Sequence, residues 1–311
     1  MKPDTKQLKR PAFTIIEILT VMSIIVILIS LLVPSLTMAR RFAKEVKQRA
    51  QLRSIEAALE IFHKDWGDYP PSGGPDKTNS WRDENNDSYC GAMRLCEAIM
   101  GQDLLGFHPE SHFNSDSSNP AHPRWTDGLY PTDLDPQIDL DRENMDVRRG
   151  PYLDAEDSDA YKIKDLYASI NPFPAGGNDS DDRVLCDSYG RVTHRTTGKK
   201  VGMPILYYKA NPSGTLHDPN LTDFTSNGSL YIYDYRENDE LVQLGIPTNQ
   251  NADFHPLHKD PAGGADGTRF YEMTLNKQVD SMERPYNPES YLLISAGYDG
   301  TYGTEDDICN F

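Results

Sequence analysis

The feature that most constrains this sequence is an apolar run near its N-terminus with one charge at its edge. No charged residue occurs in the 22 positions from Ile18 to Ala39, and Glu17 lies directly before them. As an α-helix these positions would extend about 33 Å, and the hydrocarbon core of a bilayer is about 30 Å thick. We therefore predict a membrane-crossing helix. Glu17 then needs an explanation, because a carboxylate in hydrocarbon costs roughly 2.5–3.5 kcal/mol.

Composition limits what the rest of the chain can do. The 311 residues carry 48 acidic and 31 basic side chains, a net charge of −17, which argues against nucleic-acid binding by the bulk of the protein. Only 37% of the residues are hydrophobic, and the apolar run uses many of them. The remainder is expected to be a loop-rich domain with a modest core. No nucleophile elbow, phosphate-binding loop or dinucleotide fingerprint stands out, so we predict no enzymatic activity.

The start of the apolar run resembles a known processing site. The stretch PAFTIIE at 11–17 is similar to the cleavage site of type IV prepilins and type II secretion pseudopilins, in which a basic leader ends in a small residue before Phe-Thr, with a Glu at the fifth mature position. The resemblance implies cleavage between Ala12 and Phe13 by a prepilin peptidase, N-methylation of Phe13, and assembly through Phe13, Glu17 and Pro34. Ala12 departs from the usual glycine.

Processing would explain the position of Glu17. Cleavage leaves a positively charged amine on Phe13 at membrane depth, and neither this amine nor the Glu17 carboxylate is tolerable alone in lipid. In a helical polymer, Glu17 of one subunit can neutralise the Phe13 amine of its neighbour, which favours assembly and sets the axial register. The alternatives are a glutamate that simply lies near the membrane interface, a plain membrane anchor, or an ordinary signal peptide with its shorter apolar region.

Basic residues flank the apolar run on both sides, so the Lys and Arg count does not orient it. Four lie in residues 1–12, and six more lie in residues 40–53. The resemblance implies a single-pass protein of the bacterial inner membrane, with a cytoplasmic leader and a periplasmic globular domain.

Helical character continues beyond the apolar run. An apolar stripe at Leu52, Ile55, Leu59 and Phe62 has helical spacing, and the prolines after Gly67 forbid continuation. We predict one helix of about 50 residues, kinked or loosened at Pro34. The predicted divisions are a cleaved leader at 1–12, a transmembrane and polymerisation helix at 13–36, its amphipathic continuation at 37–66, and an extracytoplasmic globular domain at 67–311.

The predicted fold class is α+β, with the long N-terminal helix packed on a small antiparallel sheet, as the resemblance to pilins implies. Two regions, about 72–185 and 215–288, are interpreted as large insertions into this fold. The first contains a short helical pattern at 90–101. Runs of β-branched and aromatic residues bounded by turn residues predict the strands. These runs lie at 204–209, 229–235, 269–275 and 290–297.

The C-terminal part resembles major pseudopilins specifically, in the stretches DSYGRV at 187–192 and ISAGYDGTYGTEDDI at 294–308. Three carboxylates within nine residues, in a glycine-rich loop, supply hard oxygen ligands that suit Ca²⁺. The alternative is an acidic, solvated turn. The resemblance implies a calcium site in the loop 295–308. Its ligands would be the carboxylates of Asp299, Asp306 and Asp307 and the carbonyls of Ser295, Tyr298 and Gly303.

The four cysteines predict one or two disulfides if the domain is extracytoplasmic. Three full pairings are open, and the sequence does not choose among them. A bond between Cys186 and Cys309 would clamp the loop 295–308. The other candidates are Cys90 and Cys96.

The favoured function is a structural subunit of a type II secretion pseudopilus that drives protein export. Its expected partners are copies of itself, minor pseudopilins, the prepilin peptidase and an inner-membrane assembly platform. A type IV pilin of a surface fibre, for adhesion, motility or DNA uptake, is the main alternative. A membrane-tethered enzyme or binding protein, with its activity in residues 72–185, is a third.

Overall fold

A computed structural model describes ten segments of the chain, which form two compact units. The units are Met1–Lys44 and Glu45–Phe311, so their boundary lies inside the predicted amphipathic segment rather than at its start. The described segments are residues 14–74, 89–113, 129–130, 139–154, 158–167, 182–218, 230–244, 255–258, 267–279 and 283–311.

The first element is the long helix α1, Ile15–Trp66, which has 52 residues and continues through Pro34. It ends at Gly67, whose φ of +84° suits glycine and whose N–H donates to the carbonyl of His63 at 2.7 Å. The prediction of a single helix of about 50 residues is confirmed. Residues 14–44 are all exposed, and the helix is long and apolar enough to cross a membrane. The expected kink at Pro34 stays a prediction.

Four hydroxyl groups in the apolar half of α1 bond to the helix itself. The Ser23 hydroxyl donates to the carbonyl of Leu19 at 2.8 Å, and the Thr37 hydroxyl donates to the carbonyl of Pro34 at 2.7 Å. Thr20 and Ser30 make equivalent bonds. A polar group that is satisfied within its own helix does not need water, so these four residues are compatible with a hydrocarbon environment.

The strands of the second unit are short and pair only antiparallel among the described residues. Sheets β1-β2 and β3-β4 have two strands each, and the third sheet has the order β5-β6-β7. In that sheet Leu206 lies opposite Ile294, and Ser295 lies opposite Ile308. The bounds are β1 Ala160–Lys162, β2 Arg183–Leu185, β3 Val192–Thr193, β4 Lys200–Val201, β5 Leu206–Lys209, β6 Tyr291–Ser295 and β7 Ile308–Cys309.

Five further α-helices lie in the described part of the second unit. The predicted helix at 90–101 is confirmed as α2, Gly91–Met100, and all ten of its residues are buried. The region read as an insertion therefore contributes to the core. The others are α3 Asp139–Val147, α4 Ile163–Leu166, α5 Asp239–Gln243 and α6 Thr268–Thr274, with 3₁₀ turns at Tyr235–Asn238 and Pro256–His258. Helices and antiparallel sheets together give the α+β class.

The three-stranded sheet is buried on both faces, with alternate side chains in different clusters. Tyr207 and Leu293 pack in one cluster with the apolar stripe of α1, where Ile55 and Leu59 are fully buried. Leu206, Tyr208, Leu292 and Ile294 point into a larger, tyrosine-rich cluster on the other face. Burial on both faces explains why these strands read as continuous apolar runs rather than alternating ones.

Two of the four predicted strands are wrong. The run 269–275 forms α6, in which Phe270, Tyr271 and Thr274 are buried at helical spacing. Within 229–235, the described residues form a single bridge, Leu216 to Tyr231, and the start of a 3₁₀ turn. Short apolar runs do not reveal their period, so packing into the aromatic cluster decided both structures. The runs at 204–209 and 290–297 are confirmed as β5 and β6.

The buried stripe of α1 should carry much of the stability of the second unit. We expect Ile55→Ala to lower the free energy of unfolding by about 2–5 kcal/mol, because it leaves a cavity between helix and sheet. Ile61→Ala, at a position of the same helix that is 47% exposed, should cost only about 0.5 kcal/mol. Urea unfolding of the detergent-solubilised chain, followed by tyrosine and tryptophan fluorescence, measures both. Equal losses would contradict the packing described here.

Candidate functional site

The closing loop, defined as residues 295–308, connects β6 to β7 and turns sharply at glycines. Gly297 has a φ of +63°, and a Cβ there would lie 2.0 Å from the carbonyl oxygen of Asp306. Gly303 has a φ of +90°, and a Cβ there would lie 2.5 Å from the backbone nitrogen of Leu257. Side chains are thus excluded at both positions, and the loop folds tightly enough to bring its acidic residues together.

The three predicted acidic residues are linked by hydrogen bonds, Asp299 through its backbone N–H and Asp306 and Asp307 through their carboxylates. Asp306 accepts the backbone N–H of Asp299 at 2.9 Å and the Thr304 hydroxyl at 2.9 Å. The same hydroxyl lies 3.5 Å from Asp307 Oδ1, and Asp307 Oδ2 accepts the N–H of Gly303 at 2.7 Å. The loop therefore holds all three acidic residues within reach of one another.

Burial and the proximity of the other acids shift the pKa values of these three residues. Burial, followed by the charge of Asp299, raises the pKa of Asp307 to about 7. Burial and the charge of Asp306 also raise the pKa of Asp299. Burial opposes ionisation of Asp306 too, but hydrogen bonds from Thr304 and Asp299 outweigh it and lower its pKa. A bound cation would relieve the repulsion that favours the protonated forms.

Two of the three predicted carbonyl ligands accept hydrogen bonds from arginines, and the third residue lies in a strand. The carbonyl of Tyr298 accepts Nε–H of Arg191, and the carbonyl of Gly303 accepts Nε–H of Arg269 at 3.1 Å. Ser295 is buried in β6, opposite Ile308. The donor set therefore fits calcium in kind, since carboxylate and carbonyl oxygens are its usual ligands. Within the described segments, however, no three His, Cys, Asp or Glu side chains converge as metal ligands do.

A buried aspartate that the sequence did not single out connects the loop to the rest of the unit. Asp187 is 1% exposed and accepts the Tyr189 N–H at 3.1 Å, the Met203 N–H at 3.2 Å and the Ser295 hydroxyl at 3.1 Å. Burial raises its pKa to about 7. The bond to the N–H two residues later is an Asx turn, which the Asp-Ser-Tyr-Gly sequence could have indicated.

At the N-terminus, Glu17 closes a capping box. Its Oε2 accepts both the backbone N–H of Thr14, at 2.8 Å, and the Thr14 hydroxyl, at 2.7 Å, while the Thr14 hydroxyl also accepts the N–H of Glu17 at 3.3 Å. The spacing Thr-x-x-Glu was the signal that could have predicted it. Ala12 and Phe13 lie outside the described residues, so the processing site and its pairing with Glu17 stay predictions.

The structure has all four cysteines as free thiols. Burial raises the pKa of Cys90 and Cys96 to about 12, and it also raises the pKa of Cys186. Cys309 lies in β7 opposite Ile294. The structure has no bond between these four residues, so the expected disulfides, including one between Cys186 and Cys309, stay predictions.

Comparison with protein-family models, with curated proteins and with solved structures found no match to this chain.

Asp187 should give the unit a measurable pH dependence. The pKa of Asp187 in the folded unit, about 7, lies above the ordinary value of 3.8, so the folded state favours the protonated side chain. The stability that this protonation contributes is fully present below pH 4 and is lost as the pH rises through 7. Asp187→Asn stays neutral and should lose less stability over that range. Thermal melting in chelator at several pH values tests this against Glu289→Gln, an exposed control. If the melting midpoints of wild type and Asp187→Asn change in parallel with pH, the raised pKa of Asp187 is contradicted.

Proposed function

We propose that this chain is a structural subunit of a type II secretion pseudopilus, which assembles through its N-terminal helix into a periplasmic filament. The observation that carries the proposal is the combination of an exposed apolar helix with a carboxylate at its first turn. Residues 14–44 are all exposed, and large side chains such as Ile16 and Leu28 are more than 60% exposed. A surface of this kind needs lipid or other helices around it.

The same surface suits both stages of filament assembly. Before assembly, the uncharged positions 18–39 match the thickness of a bilayer. After assembly, the helices of neighbouring subunits would replace lipid around those positions. Because four hydroxyls of this segment, those of Thr20, Ser23, Ser30 and Thr37, are satisfied within α1, these residues can pass from lipid to protein without exposing unpaired polar groups.

Glu17 is the residue that would make assembly selective. The capping bonds from Thr14 both end on Oε2, and the carboxylate keeps further acceptor capacity on Oε1. Cleavage after Ala12 would place the Phe13 amine four residues before Glu17. An amine from a neighbouring copy could then pair with this carboxylate in the low-dielectric filament core, where an uncompensated charge is costly.

The closing loop supports a pseudopilin over a type IV pilin. Its Asp-Gly and Asp-Asp-Ile sequence resembles the loop of major pseudopilins, and hydrogen bonds link the three acidic residues of that pattern. We include in the proposal a structural Ca²⁺ held by Asp299, Asp306 and Asp307. Copies of the chain, minor pseudopilins, the prepilin peptidase and an inner-membrane assembly platform complete the proposed set of partners, with the globular unit in the periplasm.

Substitutions at Glu17 separate pairing from capping. Glu17→Gln keeps a side-chain acceptor for the capping box but loses the charge, whereas Glu17→Ala loses both. We expect both variants to be inserted and processed, yet to yield at least tenfold fewer filaments when expressed with a prepilin peptidase and an assembly platform. Sheared filaments are quantified by immunoblot, and sequencing of the mature N-terminus checks that each chain begins at Phe13.

Two outcomes would contradict this part of the proposal. Filament yield equal to wild type in Glu17→Gln would show that capping alone accounts for Glu17. A mature chain that keeps Met1, or that is cut after Ala39, would remove the Phe13 amine from the mechanism. Surface fibres without any effect on protein export would favour the type IV pilin.

Calcium should stabilise the globular unit. A ligand that binds only the folded state contributes about 2.7 kcal/mol at a hundredfold excess over its Kd. We expect the melting midpoint of the detergent-solubilised chain to rise in calcium relative to chelator, and magnesium to substitute poorly because it demands a small octahedral shell. Asp307→Ala should remove most of the difference. Coincident melting curves in calcium and chelator would show that the loop is an acidic turn.

A further inference from the structure

Two positive charges from outside the closing loop already contact oxygens that calcium would use. We propose that Arg191 and Arg269 act as built-in cations of this loop, holding the carbonyls of Tyr298 and Gly303 when no metal is bound and competing with calcium for them. The competition rests on the calcium site proposed above. The role of the two arginines in the metal-free loop does not depend on that site.

Arg191 reaches the loop from the residue directly before β3. Its Nε–H donates to the carbonyl of Tyr298, and its guanidinium lies 4.3 Å from the centre of the Tyr298 ring. A Cβ on Gly300 would lie 3.3 Å from Cγ of Arg191, so the glycine leaves room for the arginine stem to cross the loop. The backbone and the side chain of one residue, Tyr298, therefore both contact the same guanidinium.

Arg269 reaches the loop from a different element. It belongs to α6, and its Nε–H donates to the carbonyl of Gly303 at 3.1 Å, while its Nη1 lies 3.6 Å from Glu272 on the same helix. Gly303 also donates its own N–H to Asp307. One peptide segment thus links a guanidinium on one side to a carboxylate of the proposed calcium site on the other.

The positive charge of the two arginines would stabilise the metal-free loop and would also oppose the binding of calcium. In the metal-free loop, two guanidinium groups bond to carbonyls of the segment that carries the three predicted acidic residues. Positive charge placed there would reduce the cost of their negative charge. A calcium ion bound to either carbonyl would lie within a few ångströms of a guanidinium, and the two cations would repel each other. Arginine cannot lose its proton to relieve that repulsion, so it has to move away. Calcium affinity should therefore be lower than the oxygen ligands alone would allow.

The test measures calcium affinity and metal-free stability separately, on the full chain in detergent. Arg191→Met and Arg269→Met should each raise the affinity for calcium, measured by calorimetry with calcium chloride, by about tenfold. Each should also lower the melting midpoint in chelator. Arg191→Gln keeps a neutral donor for the Tyr298 carbonyl, so it should raise calcium affinity with a smaller loss of stability, and it remains informative if the methionine variant does not fold.

Arg195 provides a matched control. It is an arginine of the same part of the chain, and its Nη1 donates to the carbonyls of Lys164 and Tyr167 at 3.1 and 3.2 Å, outside the closing loop. Arg195→Met should lower the melting midpoint in chelator but leave calcium affinity unchanged. Its comparison with Arg191→Met separates a general loss of stability from the removal of a competing cation.

The outcomes distinguish this inference from the proposed calcium site. If wild type binds calcium and neither Arg191→Gln nor Arg269→Met binds it more tightly, the competition is overturned. If neither wild type nor any variant binds calcium, the proposed calcium site is wrong. The melting midpoints in chelator then test the role of the arginines in the metal-free loop. In that case, midpoints of Arg191→Met and Arg269→Met that equal wild type, or fall no further than that of Arg195→Met, would overturn the role of the two arginines. A larger fall than in Arg195→Met would support it.

Discussion

Packing of the apolar stripe of α1 against the three-stranded sheet is the interaction on which the second unit depends. Strands β5, β6 and β7 have four, five and two residues, too few for a sheet to be stable without a second layer. Ile55 and Leu59 supply that layer together with α2. Since β6 and β7 are also the two ends of the closing loop, the helix supports the strands from which the loop departs.

The closing loop gathers charge of both signs in a small volume. Asp187 accepts a hydrogen bond from the Ser295 hydroxyl at the start of the loop. Arg191 and Arg269 donate to loop carbonyls from two other parts of the chain. A buried carboxylate is costly unless it is well hydrogen-bonded, and Asp187 has three donors. The loop is therefore held by polar contacts to distant segments, and a metal ion would be added to a loop that is already organised.

Glu17 shows how one side chain can have two compatible roles. Within a single chain it completes the capping box with Thr14, which satisfies the backbone N–H groups of Thr14 and Glu17 at the start of the helix. In the proposed filament, the same carboxylate pairs with the amine of another copy. Capping holds the carboxylate in the single chain, which reduces the side-chain entropy that pairing would cost. The two roles can be separated only by a side chain that keeps the acceptor and loses the charge.

The sequence by itself determined the elements whose causes are local. The uncharged run, the stripe from Leu52 to Phe62 and the prolines after Gly67 defined α1, and apolar runs bounded by turns defined β5 and β6. Tertiary structure decided that 269–275 is a helix, because its aromatic side chains pack into a cluster that periodicity cannot reveal. It also decided the partners of the closing loop: Arg191 and Tyr298 are 107 residues apart, and Asp187 and Ser295 are 108 apart. Contacts over such distances depend on how the whole chain folds, whereas helix limits and turns depend on neighbouring residues.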